Sequence, residues 1–327
     1  VYGGSTSLAR SLPNPLPLQV ALYSLIVFVG FALLRAPLAV YTDHVLPKRF
    51  GLSTQTWRSW LWDTVKGDLI GLALGLLLLV ALYVLLQRLP DTWWIVAALG
   101  MLLLSVVLTH LAPVLILPLF FKQKPLDDPN LAEHLTALAA RAKTRIRGVF
   151  TVDMGSKGTT ANAALAGLGS TQRIILSDTL LQSYTPEETE AVMAHELGHH
   201  VGRHLWKTLV FNFVLIFAEF YLVNLALHWA TSRWGYEGMA DVAAFPIVVL
   251  TMGGAMFLTH PLILAFSRRQ EAAADAYALK LIEAREPFIS MMAKLTDQNL
   301  GEERPPLWIE YLYYDHPPYY RRVAMAQ

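Results

Sequence analysis

There is no cysteine anywhere in the 327 residues. Disulfides, thiol nucleophiles and cysteine-ligated metal are thereby excluded, so any metal must be held by His, Asp or Glu. Charge is also sparse: 16% of residues are Asp, Glu, Lys or Arg, against 54% hydrophobic. The net charge is +1, and the chain has no polybasic stripe or recognition motif, which argues against nucleic acid as a partner. No signal-peptide pattern and no internal repeat is visible. Val1 stands where a methionine would open a natural chain, which is read as loss of the start, with room for an earlier span before it. Residues 1–17, opening Tyr2-Gly3-Gly4-Ser5-Thr6-Ser7, read as a flexible leader.

What the chain has in abundance is long apolar runs. Five are of membrane-spanning length: about 18–35, 68–87, 93–120, 207–230 and 243–266. The clearest, Ile70 to Leu86, contains no charge, and five such runs are hard to hide in a soluble core of this size. Trp60, Trp62, Trp93 and Trp94 flank spans as interfacial anchors do. The connection 36–67 carries Lys48, Arg49, Arg58 and Lys66, with Arg35 at its edge, and the tail 267–327 begins with Arg268 and Arg269. The connections after spans two and four have only Arg88 and Arg233. By the positive-inside rule, 36–67, 121–206 and 267–327 face the cytoplasm. The expected fold is mainly α: a multi-pass helical membrane protein, bilayer-embedded through 18–120 and 207–266, with a small α+β segment at 121–206.

That segment contains the most informative residues, His195-Glu196-Leu197-Gly198-His199. Histidines four apart on a helix share a face and can bind one metal ion, while the intervening glutamate can take a proton from water activated by it. Thr185-Pro186-Glu187-Glu188 is a helix start: an N-cap, a proline at the first position and a glutamate at the third. Asp127-Asp128-Pro129-Asn130 predicts a second helix to about Thr144, with Leu131, His134, Leu135, Leu138 and Ala139 along one side. Arg145–Val152 and Gln172–Leu176 predict two short strands, joined by the small polar stretch Gly155–Ala163. The second strand is expected to act as a rail for extended substrate.

Two histidines do not complete a catalytic zinc site, which needs a third protein ligand. On a regular helix His204 points opposite to His195 and His200 lies off the ligand face, so both read as surface or interfacial residues. Glu271, in Glu271-Ala272-Ala273-Ala274-Asp275 directly after span five, is the best candidate from a second helix. Asp275, one turn later, can accept a hydrogen bond from a ligand imidazole. Glu219, mid-span, is the weaker competitor and reads as facing a polar cavity.

Taken together, His195–His199, Ser267–Asp275 and His316-Pro317-Pro318-Tyr319-Tyr320-Arg321-Arg322 resemble the type I CAAX prenyl endopeptidases, integral-membrane zinc proteases. Phe50-Gly51-Leu52-Ser53, Asp63, Lys66, Asn162-Ala163 and Arg173–Leu180 extend the resemblance from about residue 18 to the end. The resemblance implies one zinc ion held by His195, His199 and Glu271, with Glu196 as general base. It implies that Asn162 holds substrate backbone and that His316 and Arg322 assist at the reacting carbonyl or order the site. The substrate would be a peptide or protein, prenylated or otherwise membrane-associated. Five spans and short outer connections, where eukaryotic members have seven and a longer insertion, fit a compact prokaryotic homologue in a plasma membrane; a eukaryotic one would lie in the endoplasmic reticulum. A quality-control protease of the HtpX type shares HExxH but lacks the His-Pro-Pro tail. A metal-bound sensor or scaffold without turnover would have no need of Glu196.

Overall fold

A computed structural model describes residues 2–12, 15–167, 172–282 and 284–327. The helices are α1 (Tyr2–Ser11), α2 (Leu16–Val40), α3 (Leu46–Arg49), α4 (Trp57–Arg88), α5 (Trp93–Leu111), α6 (Leu117–Phe120), α7 (Pro129–Arg141), α8 (Asp178–Ser183), α9 (Pro186–Val201), α10 (His204–Trp234), α11 (Phe245–Ile282), α12 (Arg285–Gln298), α13 (Leu307–Tyr313) and α14 (Tyr319–Ala326). The strands are β1 (Gln123–Pro125), β2 (Val149–Val152), β3 (Ala163–Ala166) and β4 (Arg173–Ser177).

Among the described residues, five helical stretches are long and apolar enough to cross a membrane: Leu16–Arg49, Trp57–Arg88, Trp93–Leu111, His204–Trp234 and Val242–Ile282. They coincide with the five expected spans. Several outrun the apolar runs. The last is 41 residues long, about twice what a bilayer requires, so the helix that begins as a span continues into the polar sequence holding Glu271 and Asp275.

The chain divides into two compact units. The first comprises residues 1–46, 56–105 and 210–259. Its core joins Tyr83, Leu86 and Trp93 to Val223, Leu227 and Val242–Ala244. Trp93 is fully enclosed, and its Nε1 donates to Asn224 Oδ1 at 2.9 Å, which satisfies two polar groups that a dry interior would otherwise penalise. Helix α1 occupies much of the expected flexible leader, a correction with a packing cause: Ala9 is buried, Leu8 and Leu12 join the same core, and Gln19 Nε2 donates to the Ala9 carbonyl at 2.8 Å. Residues 1, 13 and 14 of that leader lie outside the described residues.

The second unit comprises residues 47–55, 106–209 and 260–327. Its sheet has the order β1-β2-β4-β3, with β2 and β4 parallel and the outer pairs antiparallel. Among the described residues there are four strands where two were expected. The extra pair, Gln123–Pro125 and Ala163–Ala166, is short and lacks a β-branched run, so only pairing with β2 and β4 makes it extended. Helix α7 begins at the expected cap, Asp128 Oδ1 accepting from Leu131 N at 3.0 Å. It buries Leu131, Leu135, Leu138 and Ala139, while His134 is exposed, because four apolar residues already fill the stripe. Helix α9 starts with a complete capping box: Thr185 Oγ1 accepts from Glu188 N at 3.3 Å and Glu188 Oε2 from Thr185 N at 2.8 Å. One side of α9 packs Ala191, Met193, Ala194 and Leu197 against Leu135, Leu138, Ile174, Leu176 and Phe288. Each large side chain so enclosed is worth about 1.5–3 kcal/mol, which fixes the helix and leaves its other side to the cleft.

Candidate metal centre

Helix α9 brings His195 and His199 to one face, with their Nε2 atoms 3.1 Å apart. Helix α11 delivers Glu271, whose Oε2 lies 3.2 Å from His195 Nε2 and whose Oε1 lies 3.2 Å from His199 Nε2. One donor atom from each of the three residues lies within 4.8 Å of the others. Glu271 Oε2 is buried yet makes no hydrogen bond. Two imidazole nitrogens and an orphaned carboxylate oxygen aimed at one point fit a metal ion, which would satisfy all three.

The approach of the two helices depends on Gly198. A Cβ there would meet the Ala274 carbonyl oxygen at 2.8 Å and its Cα at 2.9 Å, distances at which backbone must move. Glycine and the Ala272–Ala274 run therefore let α9 and α11 pack backbone to backbone, which a short carboxylate needs to reach the histidines. The sequence signal existed, a glycine inside the motif opposite three alanines, but no spacing rule pairs them.

Behind the donors the support is polar. Asp275 is fully buried; its Oδ1 accepts from His195 Nδ1 at 2.8 Å, which leaves Nε2 as the ligating atom. Arg322, from α14, grips the same carboxylate with two donors, Nε to Oδ2 at 2.7 Å and Nη2 to Oδ1 at 2.5 Å. Burial opposes charge on His195, but the hydrogen bond to Asp275 and the adjacent Glu271 carboxylate outweigh it and raise its pKa to about 9 before any metal competes for the ring. Burial raises the Glu196 carboxyl above its ordinary range, with the nearby histidines opposing. His316, in the loop ahead of α14, places Nε2 3.2 Å from Glu271 Oε2, while its Nδ1 meets Asp315 Oδ1 at 2.8 Å.

Glu196, His199 and Glu271 line a cleft of about 930 Å³ together with Leu165, Gln172 and His204. The expected residues His195, Glu196, His199, Glu271, Asp275, His316 and Arg322 thus converge. Asn162 does not join them: its exposed side chain lines a separate apolar cavity of about 380 Å³ with Phe120, Phe121, Met154 and Ile175. Glu219 belongs to the first unit, where its carboxylate accepts from Thr259 Oγ1 at 3.0 Å. The expected rail is also corrected. β4 lies between β2 and β3, so both of its edges are paired, and the open edge on this side of the sheet belongs to β3. His200 is exposed as expected, its ring 3.2 Å from Gln172 Nε2. His204 is not: it is 6% exposed and stands beside His199. Helix α9 ends at Val201 with Gly202 as its cap, and Arg203 adopts φ 53°, so the regular-helix projection fails before His204.

Comparison with known proteins agrees with this construction. The model of peptidase family M48 matches residues 125–327, and that of the CAAX prenyl protease N-terminal module, described as five membrane helices, matches residues 4–122. The chain is 30% identical over 282 residues to an uncharacterized metalloprotease, YhfN, of Bacillus subtilis, covering 85% of this chain and 66% of that one. It is 31% identical over 291 residues to a CAAX prenyl protease 1 homolog of Arabidopsis thaliana, covering 88% and 68%. It thus spans about two thirds of the length of these relatives. The crystal structure of S. mikatae Ste24p superposes with a TM-score of 0.86 at 24% identity over 100% of this chain and 79% of that one, a likeness of fold. The chain belongs to peptidase family M48 and is a multi-pass membrane metalloprotease of the CAAX prenyl protease type.

Proposed function

We propose that the protein hydrolyses peptide bonds with one zinc ion per chain, held by His195, His199 and Glu271. The convergence of those three donors within 4.8 Å, beside Glu196 in an open cleft, carries the reading. Zinc bound there would supply Lewis acidity, polarising the scissile carbonyl and lowering the pKa of water. Glu196 takes the proton of the attacking water and returns it to the leaving amine. His316 donates to the carbonyl oxygen as negative charge develops there. Arg322 works through Asp275, whose hydrogen bond keeps the His195 proton on Nδ1. Substrate adds as an extended strand to the β3 edge, with the exposed Asn162 at one end of that edge to hold its backbone.

The working face is cytoplasmic. The clustering of Lys and Arg in 36–67 and the tail supports this, and so does a set of hydrogen bonds between the first connection and the protease segment. Thr54 Oγ1 donates to Gly155 O at 2.8 Å and Thr159 Oγ1 to Gly51 O at 3.1 Å, so the two segments occupy one side. Substrates are peptides with a membrane-seeking part near the cleavage site, of which a prenylated C-terminus is the favoured case, given relatives named CAAX prenyl protease 1.

One experiment tests the whole: zinc content, and cleavage in bilayers of a peptide carrying a farnesyl group, an apolar tail, or neither. Wild type should hold about one zinc and cleave the membrane-seeking forms faster, while Glu196→Gln keeps the metal and loses the activity. Equal rates for the three peptides would overturn the membrane-directed substrate, and a metal-free protein that takes up no zinc would overturn the site.

A further inference from the structure

We infer that His204 is a positioning residue for the zinc ligand His199, placed there by the Gly202–Arg203 turn. The inference rests on the zinc reading above. His199 turns its Nε2 toward His195 and Glu271, so Nε2 is the atom offered to the metal. A neutral ligand imidazole then carries its proton on Nδ1, and a buried N–H needs an acceptor. The partner is His204 Nδ1, 3.0 Å away, with the two ring planes at 84° and centroids 4.9 Å apart. His204 therefore accepts at Nδ1 and keeps its own proton on Nε2.

The chain is shaped for this contact. Arg203 takes a left-handed conformation, φ 53°, that swings the next residue back toward α9. A Cβ on residue 202 would lie 2.4 Å from His204 Nε2 and 2.9 Å from the Gly198 carbonyl oxygen, so only glycine leaves space for the ring. The two histidine ligands are thus held by unlike acceptors. Asp275 gives His195 an anionic partner, whereas His204 gives His199 a neutral one, which orients the ring without adding negative charge to the site.

Two substitutions separate hydrogen bonding from bulk. His204→Leu fills the space and removes the acceptor; His204→Asn sets a carbonyl oxygen at the same number of bonds from Cα as Nδ1. Zinc affinity of the full chain in detergent, by chelator competition, should fall about 10–100-fold in His204→Leu and stay close to wild type in His204→Asn. Gly202→Ala should behave like His204→Leu, since it evicts the same ring. The visible spectrum of the cobalt-substituted protein, which reports ligand orientation, should change in His204→Leu and Gly202→Ala and match wild type in His204→Asn. Wild-type zinc affinity and an unchanged cobalt spectrum in His204→Leu would overturn the inference. Failure of wild type to bind zinc would instead overturn the reading on which it rests.

Discussion

In the unit of residues 1–46, 56–105 and 210–259, large apolar side chains point outward: Leu34 is 83% exposed and Phe257 79%. Those exposures would be a liability in water and are the ordinary condition of a helix whose solvent is hydrocarbon. In the unit that holds the metal cluster, it is charge that goes inside: Glu188, His195, Glu271, Asp275 and Glu310 are all buried. Three of the acids have a cationic partner there: Glu188 has Lys294, Asp275 has Arg322 and Glu310 has Arg321. Enclosed polar pairs in the first unit include ones that are neutral on at least one side, as in Trp93 with Asn224 and Glu219 with Thr259. The contrast teaches that the first unit turns apolar side chains outward, whereas the unit with the metal cluster encloses acids and holds them with cationic partners.

The largest effect belongs to the catalytic side. Glu196→Gln should lower turnover at least about 100-fold while retaining metal, because it removes a proton acceptor and leaves the donors alone. Retained activity would reduce the charged interior to a structural device. Next, equal truncations in the first unit should have unequal consequences. Leu86→Ala, at a residue 1% exposed, should cost about 2–5 kcal/mol of stability, and Leu34→Ala, facing lipid, less than about 0.5 kcal/mol. Thermal unfolding in one detergent reads both, and comparable losses would break the distinction between core and lipid-facing surface.

Asp275→Asn should weaken metal binding by about 10–100-fold, since the amide competes for the His195 tautomer and loses the ion pair with Arg322. Chelator competition measures it. A smaller effect is expected from pH at Glu188. Burial there works against the charged form, but the bonds from Lys294 Nζ and Ser290 Oγ, both at 2.6 Å, outweigh it and hold the folded carboxyl below its ordinary range. The stabilisation is therefore complete above the unfolded pKa and is lost as pH falls through the depressed folded value. Glu188→Gln should flatten that acid limb of the unfolding curve, and an unchanged limb would show the pair to be unimportant.

Much of this was legible in the residues because it is local or periodic. The five spans follow from run length, and the α9 cap from Thr185-Pro186-Glu187-Glu188. The pairing of His195 with His199 follows from a helical repeat, and so does that of Glu271 with Asp275. Even the link from Glu271 to the histidines could be anticipated, since few acids follow span five directly. What failed were the inferences about strand order and about the turn after α9, where pairing or a break in helical regularity decides the outcome.

By itself, then, the sequence determined the five long apolar helices, the capped starts of α7 and α9, and which side chains could ligate a metal, since capping and hydrophobic length act over a few residues. Tertiary structure alone decided that Ala163–Ala166 and not Gln172–Leu176 presents the open sheet edge, because strand order is set by packing. It decided that α9 and α11 touch at Gly198 and Ala274, because close approach depends on what both backbones lack. And it turned His204 from an outward-facing residue into the neighbour of His199: one left-handed residue at Arg203 redirects the chain where helical periodicity continues straight on.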